Sequence, residues 1–115
     1  MRWLAILAVC LACKSREAPP PAPQGPTMPA SEIKRARDAC RSYVDKACAC
    51  ARTVPAMQEA CKQSRPLADA VDVALDVAAG SDSTRRDVRQ TEGSVRNMVK
   101  ECIEQLARLP AAGCP

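Results

Sequence analysis

Residues 43–61 read YVDKACACARTVPAMQEAC, and this stretch decides the fold. Apolar residues at helical spacing run up to Ala51, and a second helical pattern starts at Met57. Between them lies Thr53-Val54-Pro55, and the residue before a proline avoids the α-helical region. The stretch therefore predicts two helices joined by a tight turn, with cysteines on both sides of it.

Working outward, the first helix is predicted to begin at Ser31 as its N-cap, with Glu32 in the opening turn where the helix dipole favours an acid. The second is interrupted by Pro66, which predicts a kink or a restart after Ser64. Both helices have one apolar face at about 100° per residue. Its members are Ile33, Ala36, Cys40, Tyr43, Val44, Ala47 and Ala51 in the first, and Met57, Ala60, Cys61, Leu67, Ala68, Val71, Leu75 and Ala78 in the second.

A turn at residues 80–83 is expected to end in a cap for the third helix, which Pro110 terminates. The apolar face of that helix contains Val88, Thr91, Val95, Met98, Val99, Cys102, Leu106 and Leu109. Residues 71–77 also alternate like a strand, but a single strand has no partner elsewhere in the chain. The predicted fold is all-α: a small three-helix antiparallel bundle, or a helical hairpin plus a long helix, stapled by disulfides.

The N-terminus has a different character. Arg2 precedes an apolar run that ends at Ala12, well short of the roughly 20 residues of a membrane-spanning helix. Residues 14–30 contain six prolines and favour an extended tether of up to roughly 50 Å, at about 3.1 Å per residue. Three segments are therefore predicted: a signal peptide at 1–12, a cysteine with a proline-rich tether at 13–30, and a helical domain at 31–115.

Leu11-Ala12-Cys13 resembles the end of a bacterial lipoprotein signal peptide, in which a small residue precedes the cysteine that is acylated. The resemblance implies that Cys13 becomes the lipidated first residue, that the lipid bilayer is its partner, and that the chain lies in the bacterial cell envelope. Lys14 is not the aspartate that marks inner-membrane retention in enterobacterial lipoproteins, which favours the outer membrane. Cys10 is a poorer acceptor because Val9 is large, and an ordinary cleaved signal peptide is the alternative.

Once Cys10 is removed and Cys13 acylated, six of the eight cysteines remain, and an even number in a small exported domain predicts three disulfides. Fifteen connectivities are possible. Because Cys50 and Cys61 are symmetric about Pro55, their bond is the favoured first pairing, with Cys48 as the competing partner of Cys61. The candidates are Cys40, Cys48, Cys50, Cys61, Cys102 and Cys114.

Cys48-Ala49-Cys50 is the motif that most suggests chemistry. A thiol-redox or soft-metal-handling protein could use this pair, and a zinc site could add Cys61 and Cys102. Structural disulfides are the favoured interpretation, because an oxidising compartment pairs such thiols. The chain has no histidine and no glycine-rich phosphate loop. We therefore expect no enzyme activity, no catalytic residue, no metal and no cofactor.

The charge pattern excludes nucleic acid as an expected partner, because the whole chain has a net charge of only +4. Three aspartates, Asp69, Asp72 and Asp76, lie on one side of the second helix. We expect them to pair with the third helix across their hairpin, and binding of an anionic partner is the alternative. The basic residues of the third helix, here called the basic stripe, are Arg85, Arg86, Arg89, Arg96 and Lys100.

The sequence YVDKACAC followed by MQEAC is similar to small cysteine-rich helical lipoproteins of unknown role, as in myxobacteria. That resemblance implies a disulfide-braced helical hairpin and no known activity. Together, these features predict a membrane-anchored envelope lipoprotein that acts as a non-enzymatic structural or interaction module, with an unidentified envelope protein as a possible partner.

Overall fold

A computed structural model describes residues 28–115 of the chain, and this part is helical. Three long helices follow one another: α1 (Ala30–Cys50), α2 (Gln58–Ala79) and α3 (Arg85–Arg108). Short 3₁₀ helices at Pro55–Met57 and Pro110–Ala112 precede α2 and follow α3. No strand occurs within residues 28–115, so the predicted all-α fold is confirmed. None of the helices described is long and apolar enough to cross a membrane.

The helices form an antiparallel bundle in which α1 and α3 point the same way. Contacts between α1 and α3 keep a nearly constant sequence separation, 64 for Glu32–Arg96 and 62 for Cys40–Cys102. Contacts between α1 and α2 shrink from a separation of 35 at Arg37–Asp72 to 13 near the connecting turn. A constant separation means parallel helices, and a shrinking one means antiparallel helices.

The first helix starts earlier than the sequence indicates. Its N-cap is Pro29, whose backbone is extended and whose carbonyl accepts the N–H groups of Glu32 and Ile33 at 2.9 and 3.0 Å. Ser31 therefore lies inside the helix, and its prediction as the N-cap was wrong. Glu32 does occupy the first turn, as predicted. A proline carbonyl can open a helix because proline lacks only the N–H, which is unsatisfied at that end in any case.

Pro66 does not restart the second helix, which is continuous across it. The proline is exposed, so its ring meets solvent rather than a neighbouring helix. Pro66 has no N–H to donate to the carbonyl of Lys62 one turn earlier, so the helix continues with one backbone hydrogen bond fewer.

The same helix also carries a buried polar residue, Ser64. Its hydroxyl donates to the carbonyl of Cys61 at 2.9 Å, so the polar side chain has a hydrogen-bond partner inside the core.

The cap of α3 is Thr84, one residue beyond the predicted turn at 80–83. Thr84 and Asp87 form a reciprocal capping box, with Asp87 N–H donating to Thr84 Oγ1 at 3.2 Å and Thr84 N–H donating to the Asp87 carboxylate at 3.0 Å. The hydrogen bonds from Thr84 lower the pKa of Asp87. Pro110 directly follows Leu109, the C-cap of α3, so the helix ends before this proline as predicted.

The core lies along the line where the three helices meet. Cys40, Cys102, Val71 and Val95 have no exposed surface at its centre. Tyr43 is 7% exposed and is the only aromatic side chain within residues 28–115. The buried side chains are mostly small, so the area that they remove from water is modest, and covalent cross-links carry a large share of the stabilisation.

Candidate functional site

The Cys40–Cys102 disulfide joins the middle of α1 to α3 and is wholly buried. Both residues lie on the predicted apolar faces of their helices, and their Cα atoms are 5.0 Å apart. The bond spans 62 residues of sequence and fixes the register between the two parallel helices. Its sulfur atoms are part of the hydrophobic core.

Two further disulfides lie near the C-terminal end of α1. Cys48 bonds Cys61 at the start of α2, whereas Cys50 bonds Cys114 after the second 3₁₀ helix. The favoured Cys50–Cys61 pairing was therefore wrong, and the competing pairing through Cys48 is the one formed. The reason is angular: residues two apart on a helix point about 200° apart, so Cys48 faces α2 and Cys50 faces the end of the chain.

This division separates the candidate thiol pair. Cys48 and Cys50 belong to different disulfides, and Cys102 is bonded to Cys40 rather than lying beside them. The four cysteines considered for a zinc site are thus distributed over three disulfides. Within residues 28–115, no cluster of three potential metal ligands occurs. In this geometry the cysteines brace the bundle.

The aspartates of α2 form no ion pair with α3 within residues 28–115, contrary to the expectation from their positions in the sequence. Asp72 instead accepts from Arg37 Nε at 2.6 Å and from Arg41 at 3.0 Å, both on α1. Its position in the groove between α1 and α2 explains the difference, because that face turns away from α3. The hydrogen bond from Arg37, followed by that from Arg41 and the two positive charges, outweighs desolvation and lowers the pKa of Asp72.

The basic stripe is divided along α3. Its first three members, Arg85, Arg86 and Arg89, are exposed near the start of the helix. Farther along, Arg96 donates from Nε to Glu32 of α1 at 2.8 Å, and Lys100 Nζ lies 3.9 Å from Glu104. The hydrogen bond and the charge of Glu32 raise the pKa of Arg96. Part of the stripe thus serves helix packing.

Sequence reasoning missed Glu92, which is only 3% exposed. One of its carboxylate oxygens accepts the backbone N–H of Met28 at 3.0 Å, and the Met28 side chain is buried in the core cluster. This contact holds the chain at Met28, directly before the N-cap of α1. The spacing carries a usable signal, because Glu92 lies four residues after Val88 and three before Val95 on the apolar face.

A groove of about 620 Å³ lies between α1 and α3 beside this junction. Apolar side chains, among them Val99 and half-exposed Ile103, line it. The Glu32–Arg96 ion pair also lines it. The groove therefore combines an apolar surface with a charged rim at the end of the domain where residue 28 enters.

A second depression, of about 480 Å³, adjoins the Cys48–Cys61 disulfide. Both cysteines line it, together with three cationic side chains. Those cations come from the turn after α1 and from α2, and they are Arg52, Lys62 and Arg65. The Cys48–Cys61 disulfide therefore lies at a positively charged part of the surface.

The predicted lipidation residue, Cys13, lies outside the described residues. For the chain as a whole, a scan against protein-family models finds no match, and searches of the curated proteins and of the solved structures give no significant match either.

Proposed function

We propose that the chain is an envelope lipoprotein, anchored to a bacterial membrane through acylated Cys13 and serving as a non-enzymatic structural or interaction module. The observation that carries the proposal is the pairing of all six cysteines of residues 28–115 into three disulfides. Such bonds persist in oxidising compartments outside the cytosol. Together with the lipoprotein-like N-terminus, they support export of the domain.

The tether and its junction support the same proposal. Met28 is buried and its N–H donates to Glu92, so the domain holds the last residues of the proline-rich segment. A proline-rich composition of this kind would provide a semi-rigid spacer between a lipid anchor and the domain. Several acyl chains on one cysteine would provide stable anchoring, at about 0.8 kcal/mol per buried methylene.

The alternative function, thiol-redox or soft-metal handling by Cys48 and Cys50, has less support. A redox pair of that kind needs the two cysteines to bond each other or to present two thiolates together. Here each is bonded to a different distant partner. Non-reducing alkylation followed by intact mass tests this point, with no added label and a mass six hydrogens below the reduced domain as the expected result.

The anchor is tested by expressing the full chain in a diderm bacterium and comparing Cys13→Ser with Cys10→Ser. We expect Cys13→Ser to lose the acyl mass and to move to the soluble fraction, because the remaining thiol of the signal segment, Cys10, follows the large Val9 and is a poor acceptor. Cys10→Ser should stay acylated and membrane-bound. If Cys13→Ser keeps both properties, the anchor is elsewhere. Separation of the two membranes by density then shows whether the outer one holds the protein.

A further inference from the structure

The Cys48–Cys61 disulfide differs from the other two in its access to solvent. The other four disulfide cysteines are at most 5% exposed, whereas Cys61 is 8% exposed and Cys48 is half-buried. Both line the open depression at the end of α1. Thiol–disulfide exchange needs a thiolate to reach one of the two sulfur atoms, so access singles out this bond.

The same depression is positively charged. Arg52, Lys62 and Arg65 line it, and none of the three forms an ion pair with another residue in the described part of the chain. No carboxylate lines it. Glu59, one turn before Gln63, is held by that side chain, whose amide donates to its carboxylate at 2.9 Å. The surface around the disulfide therefore attracts anions.

We propose that Cys48–Cys61 is a thiol-exchange site for small anionic thiols, that is, thiols that also carry a carboxylate or a sulfonate. The thiolate sulfur of such a molecule attacks Cys48 Sγ, a new S–S bond forms there, and Cys61 leaves as a thiolate. A second thiolate of the same kind then attacks the small molecule's sulfur. It releases Cys48 as a thiolate and the small molecule as its own disulfide, so two thiols supply the two electrons.

The positions of the two cysteines set this direction of attack. Cys48 is the more exposed and lies in the last turn of α1, whose negative dipole end disfavours a thiolate. Cys61 lies in the first turn of α2, whose positive end stabilises a leaving thiolate. The mixed disulfide therefore forms on Cys48. This inference is independent of the lipid anchor.

The test treats the oxidised full chain with mercaptoethanesulfonate, 2-mercaptoethanol or cysteamine, which carry a negative, no and a positive second charge. Thiolate concentrations are matched, because the three thiols differ in pKa. Differential alkylation and peptide mapping then follow each disulfide. At low ionic strength we expect Cys48–Cys61 to open first, and roughly tenfold faster with the sulfonate than with the amine. Earlier or simultaneous opening of either other disulfide overturns the proposal.

Substitution isolates the contribution of charge. The triple variant Arg52→Gln, Lys62→Gln and Arg65→Gln should bring the sulfonate-to-amine ratio close to one. The matched control is Arg35→Gln, Arg86→Gln and Arg89→Gln, which removes the same charge from exposed positions away from the depression and should keep the ratio. A ratio that survives in the first triple variant overturns the role of these cations.

The salt dependence of the exchange rates tests the same electrostatic contribution without any substitution. Raising the ionic strength to about 1 M shortens the Debye length to about 3 Å and should remove the preference for the anionic thiol while Cys48–Cys61 still opens first. A preference that is unchanged by salt contradicts electrostatic attraction. Peptide mapping of the first mixed disulfide should find the small thiol on Cys48, and finding it on Cys61 overturns the direction of attack.

Discussion

Gly113 has a φ of 89°, in the left-handed region that residues with a Cβ avoid. It follows the last 3₁₀ helix and directs the chain back so that Cys114 reaches Cys50. A Cβ added at Gly113 meets nothing within 4 Å, so any cost of substitution is conformational. A single backbone angle thus positions the third disulfide.

Gly113→Ala should lower the free energy of unfolding by about 1 kcal/mol, because alanine is strained in this conformation. Urea denaturation of the oxidised protein measures it. Gly93→Ala is the matched control: Gly93 lies inside α3 with open space around its Cβ position, so alanine should add about 0.5–1 kcal/mol. Equal effects of the two substitutions contradict the assigned backbone at Gly113.

Asp72 couples folding to pH. Its pKa is lowered in the folded state by Arg37 and Arg41, so the folded protein binds a proton there less readily than the unfolded chain. The stabilisation is complete above the unfolded pKa of about 3.9 and is lost as the pH falls through the lower folded pKa.

Asp72→Asn should therefore reduce stability at pH 7 by about 0.5–1 kcal/mol, as expected for a partly exposed ion pair. The difference from the unsubstituted protein should shrink as the pH falls below about 4. Urea titrations at several pH values measure both effects. Asp76→Asn is the control, since Asp76 is exposed on the same helix and forms no ion pair within residues 28–115. A constant difference across pH contradicts the role of Asp72.

At the scale of elements, α1 and α3 begin by different means. The first starts at Pro29 through backbone hydrogen bonds alone, whereas the third has a side-chain capping box at Thr84 and Asp87. A capping side chain stabilises a helix by satisfying a backbone N–H group that has no partner within the helix.

Thr84→Ala should cost about 1 kcal/mol, because the first turn of α3 loses its hydroxyl acceptor. Ser31→Ala is a matched control: Ser31 is exposed inside α1, so removing its hydroxyl should change stability by less than about 0.5 kcal/mol. Urea denaturation of the two variants measures both changes in the free energy of unfolding and shows whether the Thr84 hydroxyl stabilises its helix more than the Ser31 hydroxyl does. A larger loss at Ser31 contradicts the structure.

Helix positions could be predicted from the sequence because each apolar face repeats at the helical period. Every member of the apolar faces through Cys40, Val71 and Val95 is buried or half-buried, as expected. The first residues of the helices were less predictable. Ser31 and Thr84 each have a hydroxyl that could cap a helix, but only the backbone shows that Thr84 is the N-cap of α3 and that Ser31 lies inside α1. The partners of Asp72 and Glu92 depend on how each helix is rotated about its axis relative to its neighbours. The sequence pattern of a single helix does not determine that rotation.

At the scale of the whole molecule, the disulfides differ in the length of the loop of chain that each one closes. Cys48–Cys61 spans 13 residues, and Cys40–Cys102 spans 62. The pairing scheme could not be derived from the sequence, because symmetry about a turn places Cys48 and Cys50 at nearly equal distances from Cys61. Only the rotation of α1 about its axis separates them.

Replacing Cys40 and Cys102 together by alanine should destabilise the domain more than replacing Cys48 and Cys61. Loop-closure entropy alone gives a difference of about 1.4 kcal/mol, because the longer loop gains more freedom when the bond is absent. The Cys40–Cys102 pair also loses buried packing, which adds to the cost. Thermal unfolding of the two double variants measures the order, and the reverse order contradicts the entropic account.

The parallel arrangement of α1 and α3 also decides which covalent bonds bear load. Consider tension applied between Met28 and the C-terminal residue, Pro115. The covalent route from one to the other runs along α1 and crosses to the last part of the chain through Cys40–Cys102 or Cys50–Cys114. The whole of α2 lies off this route. The domain is thus a short inextensible link, and its second helix remains unloaded.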